Sequence, residues 1–371
     1  MARTIFSFGL YAVFLLAGTL PALAQLSSPE PDPLARIRDA AKTNVQACSA
    51  TGETLCEQVA PKIIANAQGE SPLAENLSRL MEALKRQTKG PDVEAPAVTW
   101  AMAAFRDAGV EVHAEKYPVV PIQTKDGVAE IVVAEIRGRE KPDEWVLLGA
   151  DLDPSDSGSS GVEEACNAAL VVEAARDIQL TGVRPRRSIR FVVFGGESQG
   201  MTGPGAYLKG HGNELDRVPA AILFEAAANP LNGFLLNGRR DIEPGVREAL
   251  KPIESMSVTN FRIDAPFDAE SLDFLLQGVP SVVATGAKVL TPEVARNESN
   301  SPGKINIEEL KRNTAIAAVT AFGVAERSEP IGPRQSRAGI ESLLKTTGLD
   351  EQMKNAGLWP LWESGERGRL P

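Results

Sequence analysis

From Val128 onward, short β-branched and apolar runs alternate with longer stretches of helical periodicity, and no other feature of the sequence constrains the fold as much. The runs fall at residues 131–136, 146–148, 189–194, 220–224, 234–237 and 281–284, and the helical stretches at 165–179, 269–276 and 307–325. Strands alternating with helices imply an α/β fold, a doubly wound, mostly parallel mixed sheet covered on both faces. No repeat or low-complexity tract interrupts the pattern.

Ahead of this pattern the chain is helical. Residues 34–42, 55–67 and 74–86 carry helix-spaced apolar side chains with few breakers, and a further helix over 95–107 ends at Ala108-Gly109. Residues 110–117 then alternate apolar and polar, as a half-exposed strand would. Residues 27–33 form a Pro/Ser linker. Residues 1–24 have the layout of a secretory signal peptide: Arg3, an apolar run over 5–17, then Pro21 and Ala22-Leu23-Ala24 before Gln25. That run stops at Gly18-Thr19, short of the roughly 20 apolar residues a spanning helix needs. The expectation is an exported protein, periplasmic or extracellular, with no membrane span in its mature part. The expected domains are a signal peptide (1–24), a linker with a helical N-terminal region (25–126), an α/β domain (127–327) and a C-terminal tail (328–371). The tail shows one helical pattern, over 340–345, and two aromatics, Trp359 and Trp362, expected to dock on the body.

Charge narrows the partners. Lys and Arg total 39 against 49 Asp and Glu, a net charge of -10, and that sign argues against a nucleic-acid partner. The one basic stretch, Arg184-Pro185-Arg186-Arg187, sits where a strand is about to begin. In an oxidising compartment Cys48 and Cys56 could close a short loop or remain separate thiols, and spacing does not choose between them. Cys166, among Ala165, Ala168 and Ala169, reads as a small buried thiol.

In open α/β sheets the working residues gather just past the carboxyl ends of the strands. Two such ends stand out. In Val146-Leu147-Leu148-Gly149-Ala150-Asp151-Leu152-Asp153 the period of two puts Asp151 and Asp153 on the same side of the departing chain. In Phe191-Val192-Val193-Phe194-Gly195-Gly196-Glu197-Ser198 paired glycines let the backbone turn tightly and present Glu197. Between them, residues 156–164 form a Gly/Ser-rich loop that finishes with Glu163-Glu164 at the start of a helix.

These segments resemble the aminopeptidase Y and carboxypeptidase Q family of two-zinc exopeptidases, metallopeptidase family twenty-eight. The resemblance is specific from Glu135 to Tyr207 and looser over residues 72–110 and 306–326. In that family a strand ends in Gly-Ala/Gly-His-x-Asp, a Gly-rich loop leads to a metal-bridging Asp before a helix, and a later strand ends in Gly-Gly-Glu-Glu. The resemblance implies a sheet of the zinc-exopeptidase (phosphorylase/hydrolase-like) type and assigns positions. Asp151 stands where the family has its first zinc-binding His and Glu163 where it has the bridging Asp. Ser198 replaces the second Glu of the pair, Ala227 the next Asp, and Arg296, within Ala295-Arg296-Asn297, the last His. Glu197 matches the general base, and Asp153 the carboxylate that orients the first His.

The histidine count leads to the same place without an alignment. Only His113 and His211 are present, and neither lies far enough along the chain to be a late ligand. His113 falls on the alternating early strand, and His211 reads as a helix terminus. Without a metal to lower the pKa of water from ~16 to ~7, Glu197 alone cannot do the family's chemistry. The expectation is therefore a catalytically degenerate homologue with no cofactor, binding peptides, glycans or a protein partner through the old cleft. The alternative is a metallo-hydrolase or exopeptidase with a rebuilt site in which Asp151, Glu163, Glu164, Glu197 and Glu225 hold zinc or, better suited to oxygen ligands, calcium, magnesium or manganese. A Ser- or Cys-based hydrolase lacks a Gly-x-Ser-x-Gly elbow with a plausible His partner.

Overall fold

Two apolar runs, Val146-Leu147-Leu148 and Phe191-Val192-Val193-Phe194, are fully buried, as strands covered on both sides must be. They lie in β3 (Lys141–Asp151) and β4 (Arg187–Phe194), which pair in parallel near the middle of an eight-stranded sheet. The computed structural model describes residues 52–85, 95–119, 127–152, 161–195, 203–267, 270–286 and 305–370. Contacts divide the chain into Met1–Asp32 and Pro33–Pro371. The first unit lies outside the described residues, as does the helix expected over 34–42, and everything below concerns the second.

The remaining strands are β1 (Glu111–Val119), β2 (Gly127–Ile136), β5 (Ala221–Phe224), β6 (Leu231–Leu235), β7 (Asn260–Arg262) and β8 (Ser281–Gly286), in the spatial order β1-β2-β4-β3-β5-β8-β6-β7. Strands β4, β3, β5 and β8 run parallel; β2 is antiparallel to β1 and β4, and β6 to β8. This is the mostly parallel mixed sheet the sequence implies. Helix α4 (Val162–Leu180, numbered in chain order after the three N-terminal helices below) carries the chain from β3 to β4 on one side, whereas β5 pairs on the other side of β3. That reversal makes the carboxyl ends of β3 and β5 the switch point where such sheets bind ligands.

The period of two sorts the strand side chains onto two faces. Val146 and Leu148 join Ile63, Leu77, Phe105, Ile316 and Phe322 in the larger core. Those five come from α1 (Gly52–Gln68), α2 (Leu73–Lys85), α3 (Pro96–Asp107) and a long helix, Ile307–Glu326. Trp145 and Leu147 face the other way and pack with Tyr207 of α5 (Gly203–Gly210) and with Phe194 and Phe274. The N-terminal helices thus share one core with the sheet.

Helix α4 starts at Gly161, whose φ of 68° is left-handed and suits glycine. Its first turn carries Glu163 and Glu164, where the helix dipole favours negative charge. Two shorter helices, α6 (Glu243–Ala249) and α7 (Ser271–Leu276), precede the long helix, α8 (Ile307–Glu326), which Asn306 caps by accepting the Glu308 and Glu309 N–H groups at 3.1 and 3.2 Å.

The tail holds three helices where the sequence pattern shows one: α9 (Arg337–Thr347), α10 (Leu349–Asn355) and α11 (Trp359–Ser364). The last two are too short to display a stripe; buried Leu349, Met353 and Trp362 hold them in a cluster with Leu272, Leu275 and Leu276 of α7, and Trp359 packs at its margin. The basic stretch is engaged internally, Arg184 and Arg186 donating to the carbonyls of Arg137 and Glu326 and Arg187 to the Glu144 carboxylate. Among the described residues no helix is long and apolar enough to cross a membrane. Cys56 and Cys166 are buried free thiols, and Cys48 lies outside the described residues.

Candidate functional site

Asp151 ends β3 almost wholly buried, and the Leu152 N–H is shared between its Oδ1 and the Phe194 carbonyl, each at 2.7 Å. The chain therefore leaves β3 pinned to the end of β4. Across the switch point, β5 runs out into Glu225-Ala226-Ala227-Ala228-Asn229, and polar side chains of two helices hold this loop. From the first turn of α4, Glu163 Oε1 accepts the Ala228 N–H at 2.9 Å and Oε2 accepts Asn229 Nδ2 at 3.3 Å. One turn further along, Asn167 Oδ1 accepts the Ala227 N–H at 2.8 Å. From α8, Asn313 Nδ2 donates to the carbonyls of Ala227 and Asn229 at 2.9 and 2.8 Å.

Burial pushes the Glu163 carboxyl up to about 7; the Ala228 N–H pulls the other way and the neighbouring Glu164 charge adds to the rise. Ala227 is fully buried and offers only a methyl group. Asn167 and Asn313 belong to no motif in the sequence. The available signal was an amide within a run of small buried residues, Ala165-Cys166-Asn167-Ala168-Ala169, and another inside an apolar helix, since a buried amide must find partners.

The structure thus brings Glu163 to the loop that carries Ala227 and sets Asp151 at the neighbouring strand end. Asp153, Glu197, Ser198 and Arg296 lie outside the described residues. Among the described residues no group of three or more His, Cys, Asp or Glu side chains is arranged to hold a metal ion.

Both histidines lie elsewhere. His113 Nε2 is 2.8 Å from Glu115 Oε1, and His211 Nε2 is 2.9 Å from Glu115 Oε2. Glu115 belongs to β1, at the edge of the sheet, with β2 and β4 between it and β3. His211 also packs against Trp145, in the first half of β3, away from the Asp151 end. Gly196-Glu197-Ser198-Gln199-Gly200 does spell Gly-x-Ser-x-Gly, but it lies outside the described residues.

A sequence profile of Peptidase family M28 matches residues 131–317, half of the chain. The chain belongs to Peptidase family M28. The M28 stretch contains Asp151, Glu163, Asn167, Ala227 and Asn313, and leaves α1 to α3 and the tail helices outside it. Carboxypeptidase Q of Rattus norvegicus is 23% identical over 198 residues, 53% of this chain and 42% of that protein. Carboxypeptidase Q of Homo sapiens is 26% identical over 203 residues, again 53% and 42%. The chain therefore spans less than half the length of these curated relatives. Among solved structures, the peptidase M28 precursor from Shewanella amazonensis SB2B aligns with a TM-score of 0.66 at 17% identity, over 76% of this chain and 100% of that one. The aminopeptidase from Aneurinibacillus sp. strain AM-1 aligns with a TM-score of 0.57 at 12% identity, over 76% and 98%. At those identities the likeness is one of fold.

Proposed function

We propose that this chain is an exported member of Peptidase family M28 that lacks conventional two-zinc exopeptidase catalysis and binds a peptide or protein ligand in the cleft at the carboxyl ends of β3 and β5. The observation that carries this reading is the position of the imidazoles: the chain has two, and both are drawn onto Glu115 at the sheet edge. The described residues at the family's ligand positions do not fit a pair of zinc ions, which favour nitrogen and sulfur donors supplemented by free carboxylate oxygens. Ala227 has no donor, and each Glu163 oxygen already accepts an N–H. The signal-peptide pattern of residues 1–24 supports export.

The oxygen-rich alternative would draw on Asp151, Glu163, Glu164 and Glu225 for a hard cation. Glu163 weighs against it, because a cation there would compete with the N–H groups of Ala228 and Asn229 for its oxygens. The purified mature chain is expected to contain well under one zinc per molecule and to release no terminal residue from short peptides, measured by elemental analysis and amino-acid release. Stoichiometric zinc with turnover would overturn the proposal. A rise in melting temperature on adding calcium, magnesium or manganese would favour the rebuilt site, because a ion bound only by the folded state must stabilise it.

A further inference from the structure

We propose that Glu163 is a positioning residue in this chain: with Asn167 it forms a protein-only clasp that joins the start of α4 to the loop after β5, where a two-zinc site would join them through metal. The inference rests on the reading of the cleft as zinc-free.

Three observations carry it. Each Glu163 oxygen faces an N–H donor, the Ala228 amide at 2.9 Å and Asn229 Nδ2 at 3.3 Å, so its acceptor capacity is directed at the loop. Ala227, at the position of a lost ligand, has its N–H held by Asn167 and its carbonyl by Asn313. These partners come from α4 and α8, distant in sequence, so the loop is fixed from two sides. The third observation is reach. Aspartate at position 163 would be one methylene, about 1.5 Å, shorter, and the 2.9 Å bond to Ala228 would open past hydrogen-bonding distance. The exchange of the family's Asp for Glu163 is therefore not conservative here: the extra methylene lets the carboxyl reach across to the Ala228 and Asn229 N–H groups.

The clasp and a ligand role predict opposite rankings of two variants. A ligand tolerates E163D, which keeps the charge, and not E163Q. A clasp tolerates E163Q at Ala228, where the amide oxygen still accepts at the right reach while the NH2 gives up the Asn229 bond, and not E163D. Amide hydrogen exchange in the full mature chain reads this directly. E163D and E163A are expected to speed exchange at Ala228 by about tenfold or more, and E163Q to leave it within about threefold. N167A is expected to do the same at Ala227, with Val192 of β4 unchanged as the control for global opening. If E163D destabilises the whole chain, E163Q and N167A still decide. Slow Ala228 exchange in E163D with fast exchange in E163Q, or an N167A that leaves Ala227 protected, overturns the clasp. Stoichiometric zinc in the wild-type chain with E163Q still protected at Ala228 overturns the zinc-free reading and keeps the clasp.

Discussion

Arg367 lays its guanidinium along the carboxylate of Asp273, Nε to Oδ1 at 2.6 Å and Nη2 to Oδ2 at 3.1 Å, with both side chains buried. The pair ties the end of the tail to α7, beside Trp362, over whose ring Arg337 stacks at 4.0 Å. Truncating Arg367 takes this charge partner away from a buried carboxylate, so R367A is expected to cost about 3–5 kcal/mol in urea denaturation. Replacing both residues with apolar ones of similar volume should recover most of that. A single variant within about 0.5 kcal/mol of wild type would show that the tail is held by its apolar contacts alone.

Glu115 gives an acid-side prediction. Burial alone would raise its carboxyl, but hydrogen bonds from His211, Tyr117 and His113 outweigh it and hold the group at about 2, below its usual 4.5. A carboxyl depressed in the folded state adds stability that is complete above its unfolded value and is lost as pH falls toward the folded one. The advantage of wild type over E115Q should therefore shrink from pH 4.5 to about 2. A gap in melting temperature that stays constant across that range would refute the assignment.

Asp177 gives the opposite slope. Fully buried on α4, its carboxyl is pushed up to about 9 by burial and then by Glu173, against the pull of Arg176. The folded chain keeps a proton there that the unfolded chain releases above the usual 3.8, so this group lowers stability as pH rises from 3.8 toward about 9. D177N, isosteric and neutral, should gain on wild type across that window, by more than about 1.4 kcal/mol at its upper end, the worth of one pKa unit. Parallel denaturation curves at pH 5 and 8 would decide it, and a constant difference would count against the buried proton.

The parts of the molecule legible in the sequence are those with a local signature. The unbroken apolar runs at Val146 and Phe191 mark central strands because both faces of a parallel strand are covered. The segment around Asp151 and Glu163 is readable because sheet topology places chemistry just past strand ends. What escaped sequence reading is built from pairings between distant segments. Nothing in the local pattern of Asn167 or Asn313 tells that their amides meet Ala227. Nor does the neighbourhood of His211 tell that it meets Glu115. Strand β7 and helices α10 and α11 are too short for either periodicity to repeat, and tertiary burial at Phe261, Met353 and Trp362 orders them instead.

Strand β7 rests on one glycine. Gly233 of β6 pairs with Asn260, and a β-carbon added there would lie 1.6 Å from the Asn260 carbonyl oxygen and 2.5 Å from its carbon. The obstruction is backbone, so no rotamer relieves it and β7 must move away. It is the outermost strand, held inward by Thr259 N–H to Asn232 O at 2.9 Å and by Phe261, which stacks on Phe234 and carries Arg247 over its ring at 4.0 Å. G233A is therefore expected to cost about 1–3 kcal/mol, typical of overpacking, with faster amide exchange confined to residues 259–263. G339A is the matched control. That glycine lies in the first turns of α9 with its nearest neighbour at 3.5 Å, an ordinary contact. Alanine in a helix should stabilise by about 0.5–1 kcal/mol. Equal effects of the two substitutions, or exchange in G233A that spreads evenly over β3 and β4, would mean that β7 is not separately anchored through Gly233.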